Sequence, residues 1–209
     1  MNRKQKKSVD NIDRKNDWNW LDKTIAKMRY SKIDRYIPNG GIVLDIGCGR
    51  EGDFLYRHKS KIKAGIGVDL RQYNHEDGNL QFFCNLNMEK LPIDDNYCDI
   101  IFMIAVLEHL SEPHKIIEEC SRILKERGRI IITTPTPRAK RVLEFLAFKL
   151  NIISQEEIKE HVHYWNKFDI ESFFSQYGFI VESYNRFWLG MNSRCVCSKN
   201  GNCCGQAFL

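Results

Sequence analysis

An apolar run that breaks on glycine, Val43-Leu44-Asp45-Ile46-Gly47-Cys48-Gly49, constrains this chain more than any other feature. Continuous apolar runs of this length read as strands buried on both faces of a parallel sheet. Glycines at the strand end let the backbone turn sharply and let a ligand come close to bare amides. A second run, Gly65-Ile66-Gly67-Val68-Asp69, ends on an acid placed to grip the hydroxyls of a ribose. The pair predicts an α/β sheet with a nucleoside-containing ligand at its strand tips.

The rest of the chain keeps that rhythm. Strands are expected at residues 42–46, 64–70, 80–84, 99–104 and 129–134, with short helices at 52–57 and 113–124 between them. Pro113 suits a first helical turn, and Gly128 lies just past the second helix. Ahead of the first strand, Trp18, Leu21, Ile25, Met28, Ile33 and Ile37 recur at helical spacing until Pro38-Asn39-Gly40-Gly41 turns the chain. A helix at 169–177, with Asp169 as its cap and Gly178 as its stop, precedes two last strands at 179–188 and 194–198. Their short link, Leu189-Gly190-Met191-Asn192, requires an antiparallel hairpin. The expected fold is a doubly wound, mostly parallel seven-stranded sheet with a C-terminal antiparallel hairpin. Residues 136–167 are too long for a simple connection and read as a helical lid insertion over the strand ends.

Composition sets the outer bounds. The 209 residues suit one domain, expected at 17–199 between a basic tail at 1–16 and a short C-terminal tail at 200–209. A net charge of +5 fits an acidic partner without calling for nucleic acid. No apolar run approaches the roughly 18 residues that span a bilayer, and no apolar signal core follows the basic start, so a cytoplasmic location with reduced thiols is expected. Dispersed Cys48, Cys84, Cys98 and Cys120 read as small core residues. The group Cys195, Cys197, Cys203 and Cys204 reads either as a strand with a plain tail or as a zinc set, although its spacing departs from paired C-x-x-C knuckles. No metal is therefore assigned.

Charge narrows the choice of ligand. Gly47, Gly49 and Gly52 satisfy G-x-G-x-x-G, a pattern shared with nicotinamide-binding loops. A loop that clasps pyrophosphate is ill served by Asp45, two residues before its first glycine. The sulfonium and ammonium of S-adenosylmethionine reverse the sign, and an aspartate there becomes attractive.

With VLDIGCG at 43–49, GIGVDL at 65–70, LPIDDNYCDIIFMIAVLEHL at 91–110, RILKERGRIIITTP at 122–135 and YGF at 177–179, the chain resembles the class I, seven-stranded S-adenosylmethionine-dependent methyltransferases from about Ile42 to Lys199. The closest flavour is the small-molecule group that includes the quinone-biosynthesis enzymes. The resemblance implies S-adenosyl-L-methionine as cofactor. It implicates Asp45, Gly47, Cys48 and Gly49 in holding the methionine part, Asp69 in binding ribose and Leu70 in packing beside adenine. It places the adenine edge within Asn85-Leu86-Asn87, with either amide as the contact, and Ile104 and Ala105 on the methionine side. Three departures stand out: Glu51 occupies the place of the family's third loop glycine, Asn85 or Asn87 replaces the usual acid, and Cys98 replaces the phenylalanine common before the strand-four aspartate.

Methyl transfer to a hydroxyl requires a proton acceptor, whereas transfer to a carboxylate does not. His109, in Leu107-Glu108-His109-Leu110, and His161 and His163, in the insertion, are the candidates for catalysis. Each also has a structural reading, as a hydrogen-bonding or surface histidine. Tyr164 and Trp165 either wall the acceptor or pack the lid. The function expected is methyl transfer to a small-molecule acceptor, at oxygen. The alternatives are an RNA or protein methyltransferase, or a non-catalytic cofactor-binding partner subunit. Oligomeric state is not readable from the chain.

Overall fold

The computed structural model describes residues 20–84, 90–140, 142 and 162–200. Helix α1 (Trp20–Ile33) leads through a single 3-10 turn (Asp34–Tyr36) into strand β1 (Ile42–Ile46). Next come helix α2 (Asp53–His58) and strands β2 (Ala64–Asp69), β3 (His75–Asp77), β4 (Leu80–Cys84) and β5 (Cys98–Ile104). Helix α3 (Pro113–Ile123) runs directly into strand β6 (Leu124–Pro135). Helix α4 (Lys167–Ser175), strand β7 (Phe179–Phe187) and strand β8 (Asn192–Lys199) complete the described chain.

All eight strands share one sheet in the order β3-β4-β2-β1-β5-β6-β8-β7. The run β4-β2-β1-β5-β6 is parallel, while β6-β8, β8-β7 and β3-β4 are antiparallel. The mostly parallel sheet and its terminal hairpin are as expected, with one strand added. That strand, β3, is three polar residues at the sheet edge, so it carries no apolar pattern that would announce it.

Burial explains why the central strands are apolar throughout. Every residue of β1 is buried, and the strand separates two cores. On one face Leu44, Ile101, Ile132 and Cys195 pack with α3 and α4 residues such as Ile117 and Phe174. On the other, Val43, Phe102, Ile131 and Val196 pack with Ile33, Phe54 and Leu55. Cys195 and Cys197 share the first face, with their sulfurs 3.7 Å apart. Cys98 and Cys120 are buried, as small core residues should be, but Cys48 and Cys84 are only half-buried.

Several boundaries differ from the sequence reading, most by a few residues; the longest shift is at β6, expected from 129 and starting at Leu124. Helix α1 stops at Ile33, so Ile37 enters the core from extended backbone (ψ 118°) rather than from the helix. The cap of α4 is Asn166, not Asp169. The Asn166 side chain accepts from the Asp169 amide at 3.1 Å, and the Asp169 carboxylate accepts from the Asn166 amide at 3.0 Å. Asp169 is thus the third-residue partner of a capping box. Gly128 does not end α3. It follows Arg127 (φ +61°) in a tight bend within β6, where a Cβ would press on Leu124. No helix among the described residues is long and apolar enough to cross a membrane.

Candidate active site

Chain order reverses between β1 and β5, the adjacent pair at the middle of the sheet. Crevices beyond the carboxyl ends of such a pair are where open α/β sheets bind ligands. The loop after β1 turns back on itself there. The Gly47 and Cys48 amides both donate to the Val68 carbonyl, at 2.7 and 3.2 Å, which bends the loop over the tip of β2. Gly47 (φ +74°) lies so close to β5's following loop that a Cβ would collide with Val106. Gly49 (φ +71°) has no atom within 4 Å of where a Cβ would stand, so the loop presents open backbone at that point.

Two acids face this turn. Asp45 is 1 % exposed, and its Oδ1 has no hydrogen-bond partner. Burial, followed by the nearby Asp69, holds its carboxyl well above the usual carboxylate range. A buried oxygen without a donor is costly unless a ligand supplies one. Asp69 Oδ2 accepts from the Gly49 amide at 2.9 Å, and its Oδ1 accepts from the Arg71 amide at 2.8 Å. Oδ1 also accepts from Arg71 Nε at 3.4 Å, so the capacity left for a ribose hydroxyl is on Oδ2, which carries a second lone pair. Leu70, next along, is 48 % exposed, leaving an apolar side chain open at the strand tip.

Gln72 was not singled out by sequence. It is buried, and its Nε2 donates to the Gly49 and Arg50 carbonyls, both at 2.8 Å, tying the glycine loop to the end of β2. The Cys48 thiol lies within the same turn, 3.4 Å from the Gly49 carbonyl, and burial pushes its pKa up. A thiol held protonated in this way is a poor nucleophile. The displaced loop glycine also finds its role: Gly52 (φ +62°) caps α2, and a Cβ there would press on the Phe82 ring, while Glu51 points to solvent. Ile104 ends β5, and the amide of the next residue, Ala105 (φ +56°), donates to the Thr133 carbonyl at 2.9 Å.

His109 closes a short 3-10 turn after β5, its amide donating to the Val106 carbonyl at 2.9 Å. Beside it stands Glu108, a second residue the sequence reading passed over. Glu108 is 1 % exposed, accepts from the Thr134 hydroxyl at 3.0 Å, and is held above the usual carboxylate range by burial. Its carbonyl accepts from the amides of Val162 and His163, at 2.8 and 3.3 Å. The chain returning from the insertion is thereby moored next to His109, and two of the three candidate histidines share one corner. The exposed His163 ring meets Trp165 edge-on at 4.7 Å. Trp165 is buried against Phe173 and packs the base of this corner. His161 and the adenine-edge candidates Asn85, Leu86 and Asn87 lie outside the described residues.

A family model described as a methyltransferase domain matches residues 19–184, most of the chain. The chain belongs to that family. Over 116 residues it is 32% identical to protein MJ1123 of Methanocaldococcus jannaschii, covering 54% of each chain. Over 136 residues it is 32% identical to the ubiquinone biosynthesis O-methyltransferase of Glaesserella parasuis serovar 5, covering 57% of this chain and 53% of that protein. It thus spans about half the length of these curated relatives. A solved chain from the complex between the Haloferax volcanii Trm112 methyltransferase activator and a methyltransferase superposes with a TM-score of 0.67 at 17% identity. That match covers 86% of this chain and 94% of the other, and it shows the shared fold.

This methyltransferase domain is of the class I type, whose cofactor is S-adenosyl-L-methionine. The residues present suit that group. The unpartnered Asp45 oxygen offers an acceptor to a cation, and the open backbone at Gly49 leaves space beside it. An acid at the end of β2 and an exposed leucine match the polar and apolar sides of adenosine.

Proposed function

We propose that this domain transfers a methyl group from S-adenosylmethionine to the oxygen of a small-molecule acceptor. The observation that carries the reading is the pair of acids at the switch point, one of them with an unpartnered buried oxygen. The cofactor supplies a methyl carbon activated by positive sulfur, and the protein contributes position. Asp45 balances the donor's positive charge. Asp69 holds the ribose, with Gly49 and Gln72 keeping the loop in register. Gly47, Cys48 and Gly49 provide the backbone surface, Leu70 the apolar side for adenine, and Ile104 and Ala105 the opposite wall. Asn85, Leu86 and Asn87 complete the adenine edge in this reading.

The acceptor side is the corner formed by Glu108, His109 and the returning Val162-His163 segment. An acceptor hydroxyl loses its proton to His109 or His163 as the new carbon–oxygen bond forms and the carbon–sulfur bond breaks. His161 is the third candidate for that role. The likeness to the Glaesserella parasuis enzyme supports oxygen as the acceptor atom. Calorimetry with S-adenosylmethionine and its demethylated product tests the cofactor half; binding of neither, with tight binding of a nicotinamide nucleotide, would sink it. Extract incubated with methyl-labelled cofactor, with and without the protein, tests the acceptor half. Label in RNA or protein rather than in a small molecule would overturn that part. The pH–rate profiles of His109→Ala and His163→Ala then identify the base. Loss of the acidic limb assigns it, and an unchanged profile in both removes these two from the role.

A further inference from the structure

A cavity of about 300 Å³ opens beside the C-terminal end of α1. It is lined by Lys32, Arg35, Asn185, Arg186, Phe187 and Arg194. Four of these six are cations and none is an acid. Arg194 is the buried member, 7 % exposed, while Lys32, Arg35 and Arg186 are exposed. Among the described residues no salt bridge engages any of the four. The neighbouring Asp34 is committed elsewhere, to Arg57 at 3.2 Å and His58 at 3.0 Å.

Arg194 has a partial structural explanation. It stands on β8 on the same face as Val196, and its Nη1 donates to the Lys32 carbonyl at 3.2 Å, near the end of α1. Its guanidinium also lies over the Tyr36 ring, 5.3 Å from the centroid. Yet its Nε is shut off from solvent with no hydrogen-bond partner. Burying an arginine without a counter-anion is unfavourable, and the nearby Arg35 adds like-charge repulsion. Helix capping accounts for one donor. Arg35 is held by Tyr36, donating to its hydroxyl at 2.8 Å, but neither contact accounts for Lys32 and Arg186 beside the same hollow.

We propose that this cavity binds the terminal phosphate of a small molecule, with Arg194 as the buried anchor and Lys32, Arg35 and Arg186 around it. Guanidinium groups match phosphate oxygens in charge and in planar donor geometry. The hollow is concave and anchored from within, which favours a protruding phosphate end over a polymer backbone lying across the surface. Asn185 adds an amide and Phe187 an apolar wall for the rest of the ligand. The site is independent of the methyl-transfer reading.

Calorimetric titration of the full chain with inorganic pyrophosphate, at low ionic strength, tests this. Saturable binding is expected, weakened about tenfold in Arg186→Gln and in Lys32→Gln as charge-assisted contacts are lost. Both positions are exposed, so these variants keep the fold where Arg194→Gln risks it. Absence of saturation, or equal affinity in the wild type and both variants, would overturn the proposal. An oligoribonucleotide with a 5′-hydroxyl end that displaces pyrophosphate at equal phosphate concentration would also overturn it, in favour of a surface for nucleic-acid backbone.

Discussion

The Gly49 amide donates to the Asp69 carboxylate at 2.9 Å, joining the loop after β1 to the tip of β2. One acid therefore orders the glycine loop and also faces the place where a ribose would sit. Asp69→Ala is expected to lose about 1.5–3 kcal/mol of cofactor affinity, the range for a hydrogen bond to a charged group. Asp69→Asn should recover part of it, because an amide oxygen still accepts. Calorimetric dissociation constants for S-adenosylmethionine decide the matter, and an unchanged value in the alanine variant removes Asp69 from the site.

Asp45 makes the apo protein's stability depend on pH. Its folded pKa is raised by burial, so the folded state holds a proton that the unfolded state has released. The stabilisation is full below the unfolded value, about 3.9, and is lost as pH rises through the raised folded value. Relative to Asp45→Asn, the ligand-free wild type should lose stability as pH climbs above about 4. A cationic cofactor favours the ionised form, so its affinity should rise over the same window. Denaturant midpoints for both proteins across pH, with and without S-adenosylmethionine, measure this; parallel curves would remove Asp45 as the source.

Two glycines of one loop should respond differently to the same substitution. Gly47→Ala places a methyl against Val106 in left-handed backbone, and a loss of about 2–4 kcal/mol is expected from overpacking and strain combined. Gly49→Ala meets no protein atom, so about 1 kcal/mol of backbone strain is expected. Its methyl enters the space assigned to the cofactor, so affinity should fall more than stability does. Equal stability losses in the two variants would contradict the geometry.

Arg122 holds the segment before β5. Its Nη1 donates to the Ile93 carbonyl at 2.7 Å and its Nη2 to the Leu91 carbonyl at 3.2 Å, while Glu119 pairs with it at 2.7 Å and accepts from the Leu91 amide at 2.9 Å. The Asp95 partner is largely exposed and adds little. Arg122→Ala should cost about 1–3 kcal/mol, because buried carbonyls and Glu119 lose their partner. A melting temperature within a degree of the wild type would show that this network is not a stabilising one.

The sheet was legible because its signal is local. Apolar runs at 42–46, 64–70 and 99–104 need no partner to be recognised, and the link Leu189-Gly190-Met191-Asn192 is short enough to force antiparallel pairing. What escaped is of two kinds. Strand β3 and the Asn166 cap depend on exposed polar residues, which carry no periodicity. Gln72, Glu108 and Arg194, and Arg122 in its bonds to Ile93 and Leu91, act on groups 22 to 162 positions away, and no window along the chain contains both ends.

By itself, then, the chain determined the order of the apolar strands and of the helices, the glycine turn, and the acids beside that turn, since each follows from neighbouring residues. Tertiary structure alone decided which carboxylate loses its partners on burial, that the insertion returns beside His109, and that four cations from α1, the turn after it and the final hairpin surround one hollow. Desolvation and charge crowding are properties of a packed volume, and they arise only when distant segments meet.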